Sequence, residues 1–306
     1  MPVSTPQHRK RWMRYFDAAT VSRLAAIGFQ PSGLVEGNLV GNHRSPFHGF
    51  AIEFAGHRGY VPGDDIKHMD WTAYYKTGKY LLKQYEQETN FIAHIVMDVS
   101  ESMDFEYQHG KKRDYAAYIA TSLAQIIVAQ SDKVGLHFFA EGIVDEIPVT
   151  GRLDMAARIA AVLDGMPAPK AKESIGSALN LLASQLGRRR VVFLISDFFS
   201  DPDDTLDGVK RLLDAKHEVV LFHVLDPIEL SLAMDGRVEF VEMEGEDRLK
   251  VTAQHLRASY KEIFDDYLSD LRTRCLRFGA EYIRCDMSRS FGTHLAEFFS
   301  ARQGEA

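Results

Sequence analysis

The chain has 306 residues, 45% of them hydrophobic and 26% charged, which supplies apolar material for one large globular domain or two modest ones and excludes disorder over most of its length. Lysine and arginine number 36 against 43 aspartates and glutamates, a formal net charge of -7, so the overall balance marks no surface for nucleic acid or anionic lipid. Two cysteines, Cys275 and Cys285, are too few for a disulfide framework or a zinc cluster and read as free thiols of a reducing compartment. The opening MPVSTPQHRKRWMRYF lacks an uninterrupted apolar core and no stretch approaches about 20 apolar residues, so no secretory signal and no membrane span are expected, and the expected location is the cytoplasm.

In chain order, Ala18, Val21, Leu24, Ala25 and Ile27 recur mostly at three and four, which predicts a short helix over Asp17 to Ile27 ended by Gly28. Gly33 to Gly63 carries seven glycines among aromatic, His and Arg residues with no helical stripe, and predicts turns and short strands. The reading is therefore an N-terminal helical segment over 1-31, a small β-rich element over 32-88 and a main domain over 89-306. Within Asp70 to Glu88, charges of both signs interleave with Trp71, Tyr74, Tyr75, Tyr80 and Tyr85, as in a strand-turn-strand that is buried or meets a protein. A single-strand nucleic-acid platform is the weaker reading of those aromatics and lysines.

Beyond Glu88 strands and helices alternate. Phe91 to Met97 is a short β-prone apolar run stopping at Asp98, as a buried parallel strand would. Tyr115, Ile119, Leu123, Ile126 and Ile127 form a helical stripe, Val134 to Phe139 returns to strand, and Val144 to Val149 reads as a hairpin partner or edge strand. Helices are expected over Met155 to Leu163, Ile175 to Leu186, Thr205 to Lys216, Thr252 to Phe278 and after Ser290, and strands over Val191 to Ile195, Val219 to Val224 and Tyr282 to Cys285. The alternation predicts an α/β class domain, doubly wound on a mostly parallel sheet.

In open sheets of this kind ligands sit outside the carboxyl ends of the strands. Two strand ends are acidic. Asp98-Val99-Ser100-Glu101-Ser102 follows the first buried strand and offers a carboxylate and two hydroxyls at i, i+2 and i+4, while Asp197 ends the later strand and can supply a second carboxylate. A compact shell of oxygens is what a hard divalent cation such as magnesium takes. The plainer reading is that Ser100, Ser102 and Asp197 cap helices, and that Asp201, Asp203 and Asp204 meet the positive end of one. His43, His48, His57 and His68 with Asp64, Asp65 and Asp70 could suggest a second metal site, but their Gly-rich context suggests turns, with Gly63-Asp64-Asp65 a tight one.

Asp98-Val-Ser-Glu-Ser-Met103, after a hydrophobic strand and before a helix, resembles the metal-ion-dependent adhesion site of von Willebrand factor A domains. Upstream, Gly41-Asn42-His43-Arg44-Ser45, Glu53-Phe54, His57 to Asp65, Met69-Asp70-Trp71 and Lys83 to Glu88 resemble the domain-of-unknown-function 58 family. The resemblance covers the chain from about Gly33 onward. It implies a bacterial cytoplasmic protein with a von Willebrand factor A-like domain, and as partner a MoxR-type AAA ATPase, for which the chain would act as adaptor or regulator. It also implies a metal set of Asp98, Ser100, Ser102 and Asp197 for Mg2+ or another divalent cation. Where such domains usually carry a threonine, before Ile175-Gly176-Ser177-Ala178-Leu179, this sequence has Glu173 followed by Ser174. Three readings stay open: Glu173 ligates the ion, it fills the position that a partner's acidic residue would take, or it marks a site that no longer holds metal.

Neither a GxxxxGK[ST] phosphate loop nor a GxGxxG after a strand is present, and a GxSxG elbow is missing. The enzyme alternative is a magnesium-dependent phosphoesterase using Asp98 and Asp197, with Asp98 as nucleophile. It is weakened by Ser100, where such enzymes place an acid for proton transfer. The expected function is a non-catalytic protein-protein interaction module.

Overall fold

The computed structural model describes residues 14–31, 53–61, 69–86, 91–140, 142–166, 175–187, 189–199, 201–234, 237–241 and 248–304. The chain divides into two compact units, Met1–Val35 with Ile92–Ala306, and Glu36–Phe91. The first helix, α1 (Ala18–Ile27), begins where Asp17 accepts the Ala19 N–H at 3.1 Å and ends at Gly28 with φ 74, as its capping residues dictate.

In the smaller unit, β1 (Glu53–Gly59) is followed by a helix, α2 (Trp71–Thr77), and by β2 (Leu81–Glu86), which pairs antiparallel with β1. The helix corrects the strand-turn-strand expectation. Asp70 accepts the Ala73 N–H at 3.0 Å and Gly78 stops the segment at φ 69, so two good caps prevail over the β-propensity of Trp71, Tyr74 and Tyr75. Trp71, Tyr75 and Tyr80 are exposed rather than buried, Tyr74 is half-buried and stacks on Tyr80 at 4.7 Å, and the Tyr85 side chain lies outside the described residues.

The larger unit continues through β3 (Ile92–Asp98), a 3-10 turn over Glu101–Asp104, the short strands β4 (Glu106–Tyr107) and β5 (Gly110–Lys111), and α3 (Lys112–Ala129). Next come β6 (Lys133–Ala140), β7 (Gly142–Thr150), α4 (Met155–Gly165), α5 (Ile175–Gln185), β8 (Val191–Ser196), α6 (Pro202–Asp214), β9 (Glu218–Leu225) and α7 (Pro227–Ser231). A hairpin of β10 (Arg237–Val241) and β11 (Arg248–Thr252) precedes the long α8 (Ala253–Phe278), then β12 (Glu281–Asp286) and α9 (Phe291–Gly304). Six strands form one sheet in the order β12-β9-β8-β3-β6-β7, parallel except for the edge strand β7. This is the expected doubly wound, mostly parallel α/β arrangement, and Val144 to Val149 falls in its edge strand. The chain leaves β3 for β6 on one side and later returns to β8 on the other, so the winding reverses at β3.

Helices cover both faces, which is why the central strands are apolar without alternation. On one side Val96, Val192, Leu194 and Leu221 pack with α5, α6 and α8 through Leu179, Val209 and Leu271. A glycine makes that layer possible. A Cβ on Gly176 would lie 2.4 Å from the Asp204 carbonyl oxygen, a contact only glycine avoids. On the other side Phe29 and Phe298 reach the sheet at Phe193 and Phe222, with ring centroids 5.3 and 5.4 Å apart.

Arg302 ties this second layer together. Its buried guanidinium pairs with Glu218 at 2.5 Å and with Glu281, donates to the Gln30 carbonyl at 2.9 Å, and lies 4.7 Å from the ring centroids of both Phe29 and Phe298. Arg302→Ala is expected to cost about 3 kcal/mol of unfolding free energy in urea melts, because it leaves the buried end of Glu218 without its cation; a loss within error would refute the clamp.

Three histidines of the described residues, His94, His137 and His223, are buried on strands of the sheet. His94 on β3 meets His137 on β6 with Nδ1 and Nε2 3.0 Å apart, so one nitrogen donates and the other accepts, an arrangement lost only if both rings are protonated. Burial, then the neighbouring His137, pushes the His94 pKa down to about 3, and burial does the same to His223. Between pH 6.5 and about 3 the unfolded chain therefore binds protons that the folded one refuses, and stability falls as pH drops through that window. His94→Gln is expected to make that slope shallower in urea titrations at pH 6.5, 5.5 and 4.5; an unchanged slope would remove His94 from the account.

Candidate functional site

Neighbouring strands β3 and β8 flank the point where the winding reverses, so the residues just beyond them face a common rim. Asp98 closes β3 with its carboxylate buried: Oδ1 accepts the Ser100 N–H at 2.8 Å and Oδ2 accepts the Ser196 hydroxyl, from the end of β8, at 2.6 Å. Ser100 Oγ and Ser102 Oγ lie 3.1 Å apart. Asp197 is fully buried; its Oδ1 accepts the Phe199 N–H at 3.2 Å and its Oδ2 the Lys112 ammonium at 2.7 Å. Asp98, Ser100 and Ser102 thus stand beside Asp197 at adjoining strand ends. Glu173 and Ser174 lie outside the described residues.

The helix-cap readings do not describe these side chains. Ser100 makes no side-chain cap bond to the turn that follows it. Asp201, not Asp197, caps α6, accepting the Asp203 N–H at 2.9 Å, while Asp203 pairs with Arg274 at 2.6 Å and Asp204 accepts the Gly176 N–H at 3.2 Å. Phe198 sits in the left-handed region at φ 50, costly for a bulky residue. It is held there by its N–H on Ser196 Oγ at 2.9 Å and by the Tyr267 hydroxyl on its carbonyl at 2.6 Å. The strain turns the chain sharply after Asp197 and fixes that carboxylate beside Asp98. Of the second histidine cluster, His43, His48, His68, Asp64 and Asp65 lie outside the described residues, and His57 Nε2 contacts Asp70 Oδ2 at 2.8 Å.

Two charged groups at the rim escaped the sequence reading. Lys112, the first residue of α3, is buried with its ammonium between Asp197 and Glu229, 2.7 Å from each, and 4.9 Å from the centroid of the Phe199 ring. Burial opposes its charge, but Asp197 and then Glu229 outweigh burial and raise its pKa. Glu229 is fixed in turn by the capping box of α7, where its Oε2 accepts the Asp226 N–H at 2.8 Å. The legible signals were Asp226-Pro227-Ile228-Glu229, a capping box with proline at N1, and a lysine opening a helix, where the dipole disfavours a cation.

The rim combines hard oxygen donors with excess negative charge, which suits a hard divalent cation. Residues present to hold one are Asp98, Ser100, Ser102 and Asp197. Among the described residues no group of three or more His, Cys, Asp or Glu is arranged to hold a metal ion, so the hydroxyls are essential to such a site. Burial, then the charge of Asp197, raises the Asp98 pKa to about 6 against the hydrogen bonds from Ser100 and Ser196. A carboxyl raised in the folded state favours folding below its unfolded pKa and withdraws that contribution as pH climbs through about 6. In chelator at pH 7.5, Asp98→Asn is therefore expected to melt a few degrees above the unsubstituted protein. A lower midpoint would show that the hydrogen bonds of Asp98 outweigh its repulsion from Asp197.

The family described as Protein of unknown function DUF58 matches residues 56–267. Uncharacterized protein Rv1480 of Mycobacterium tuberculosis is 27% identical over 212 residues, 69% of this chain; the chain spans 66% of the length of that curated relative. Among solved structures, the conserved hypothetical protein BatB from Bacteroides thetaiotaomicron is 16% identical, with 70% of this chain and 100% of that one covered and a TM-score of 0.47. The SpRpn10 VWA domain is 11% identical, with 68% and 95% covered and a TM-score of 0.41. At such scores these are likenesses only, and the von Willebrand factor A-like fold is assigned from strand order, the antiparallel edge strand and the acidic ends of β3 and β8. Among the described residues no helix is long and apolar enough to cross a membrane. With the family matched over more than half of its length, the chain belongs to the DUF58 family.

Proposed function

We propose that the rim at the ends of β3 and β8 is a protein-docking face built as a metal-ion-dependent adhesion-type site. A divalent cation, Mg2+ in the first instance, is held there by Asp98, Ser100 and Ser102, with Asp197 as its second carboxylate and Glu173 as the open member of the set. Bound, the cation offers a coordination position to an acidic side chain of the partner, so that ion and partner bind cooperatively. One observation carries this reading: two buried carboxylates and two hydroxyls meet at neighbouring strand ends, with Asp98 held near pKa 6. Such crowding is costly unless a cation shares the site. The protein's own part is to hold Asp98 through the Ser196 hydroxyl and the Ser100 amide, and to fix Asp197 through the strained turn at Phe198.

The role is non-catalytic, since Ser100 stands where proton transfer in a phosphoesterase needs an acid. Family resemblance supplies the partner class, a MoxR-type AAA ATPase met in the cytoplasm, with this chain as adaptor or regulator. Tagged protein is expected to recover such an ATPase from the parent cells in magnesium and to lose most of it in chelator or as Asp98→Ala. Equal recovery in all three conditions would defeat the metal-dependent reading, and recovery without any AAA ATPase would defeat the partner. Phosphatase activity that needs magnesium and vanishes in Asp98→Asn would replace the docking role by the phosphoesterase one.

A further inference from the structure

We infer that Lys112 is a tethered cation that shares Asp197 with the divalent ion and holds down the affinity of the site. The inference rests on reading the rim as a cation site. Three features of Lys112 support it. Its side chain is 1% exposed and its ammonium reaches a carboxylate of the rim, Asp197, at 2.7 Å. A second carboxylate, Glu229, holds it from the other side at 2.7 Å, and the Phe199 and Phe105 rings, at 4.9 and 5.6 Å to their centroids, close over it. It also opens α3, where the helix dipole repels positive charge, so the two carboxylates are what keep it there.

A charge placed in this way acts on any ion beside it. Asp197 comes with its own counter-charge, so a divalent cation at Asp98, Ser100 and Ser102 gains less from Asp197 than from a lone carboxylate, and the ammonium repels it as well. With Lys112 in place the site holds one cation permanently and the second weakly. Without it, Asp197 and Glu229 lose the cation they share. The ion-free protein then loses stability while the ion gains attraction. A lysine that only fills space would instead change stability equally with and without the ion.

Magnesium chloride titrated calorimetrically into the full chain separates these cases, with melting midpoints taken in chelator and in saturating magnesium. Lys112→Gln is expected to bind magnesium at least about tenfold more tightly, to melt lower than the unsubstituted protein in chelator, and to recover most of that loss with the ion. Glu229→Gln keeps the capping box, since glutamine serves there too, but leaves the ammonium less compensated, so magnesium should bind several-fold more weakly. Equal affinities in all three proteins would overturn the inference and leave the metal reading intact. No binding by any of them would end both. Binding by Lys112→Gln alone would overturn the sharing of Asp197, since the ammonium would then replace the divalent ion, and would end the metal-dependent docking reading of the natural protein. If Lys112→Gln fails to fold, Glu229→Gln decides: weaker binding supports the tethered cation, and unchanged binding overturns it.

Discussion

Asp98 and Asp197 are buried side by side at the ends of two adjoining parallel strands, and the repulsion between them sets the terms for everything around the rim. Both carboxylates are buried, so each charge there needs a partner supplied by the chain or by a ligand. The chain supplies part. Asp98 receives an amide and a hydroxyl, Asp197 an amide and an ammonium, and none of these needs a residue beyond the immediate strand ends, α3 and α7. The fold places the acids and then answers them incompletely, the condition in which a binding site differs from a satisfied core.

The opposite end of the sheet meets a similar demand in a closed form. Arg302 answers Glu218 and Glu281, sits against two phenyl rings and donates to the Gln30 backbone, so both carboxylates meet the same cation within the protein. At the rim the corresponding cation, Lys112, answers Asp197 and Glu229 and leaves Asp98 with neutral donors only among its hydrogen-bond partners. Both clusters use aromatic faces to shelter a cation. Their difference lies in Asp98, whose hydrogen-bond partners are all neutral, which is why that end reads as a place for a further ion.

Most of the sheet was legible because doubly covered strands are unbroken apolar runs, and Phe91 to Met97, Val191 to Ile195 and Val219 to Val224 are of that kind. Asp98, Ser100, Ser102 and Asp197 were legible for the same reason, since each lies at or just after such a run. The helix at Trp71–Thr77 was hidden by its aromatic residues, and its real signals were Asp70 and Gly78. The hairpin over Arg237–Val241 and Arg248–Thr252 was passed over although Val238, Phe240, Leu249 and Val251 alternate. Lys112 and Glu229 could not be read as partners at all. They are 117 residues apart, and only the folding of α3 and α7 over one rim brings them to 2.7 Å.

Lys112 also bears on the departure at Glu173 from the pattern of adhesion-type sites. An acid near such a rim changes its charge, and what that change does depends on how much positive charge is already resident. Even with Lys112 in place, burial and then Asp197 raise the Asp98 pKa to about 6, and with no internal cation a third acid beside Asp98 and Asp197 would raise it further. With an ammonium bound between Asp197 and Glu229, the rim already tolerates two carboxylates around one fixed positive charge, and a further acid is less costly there. On the proposed reading of the rim, Glu173 would be a further acid for that resident ion pair to offset, in keeping with a site that carries its own cation.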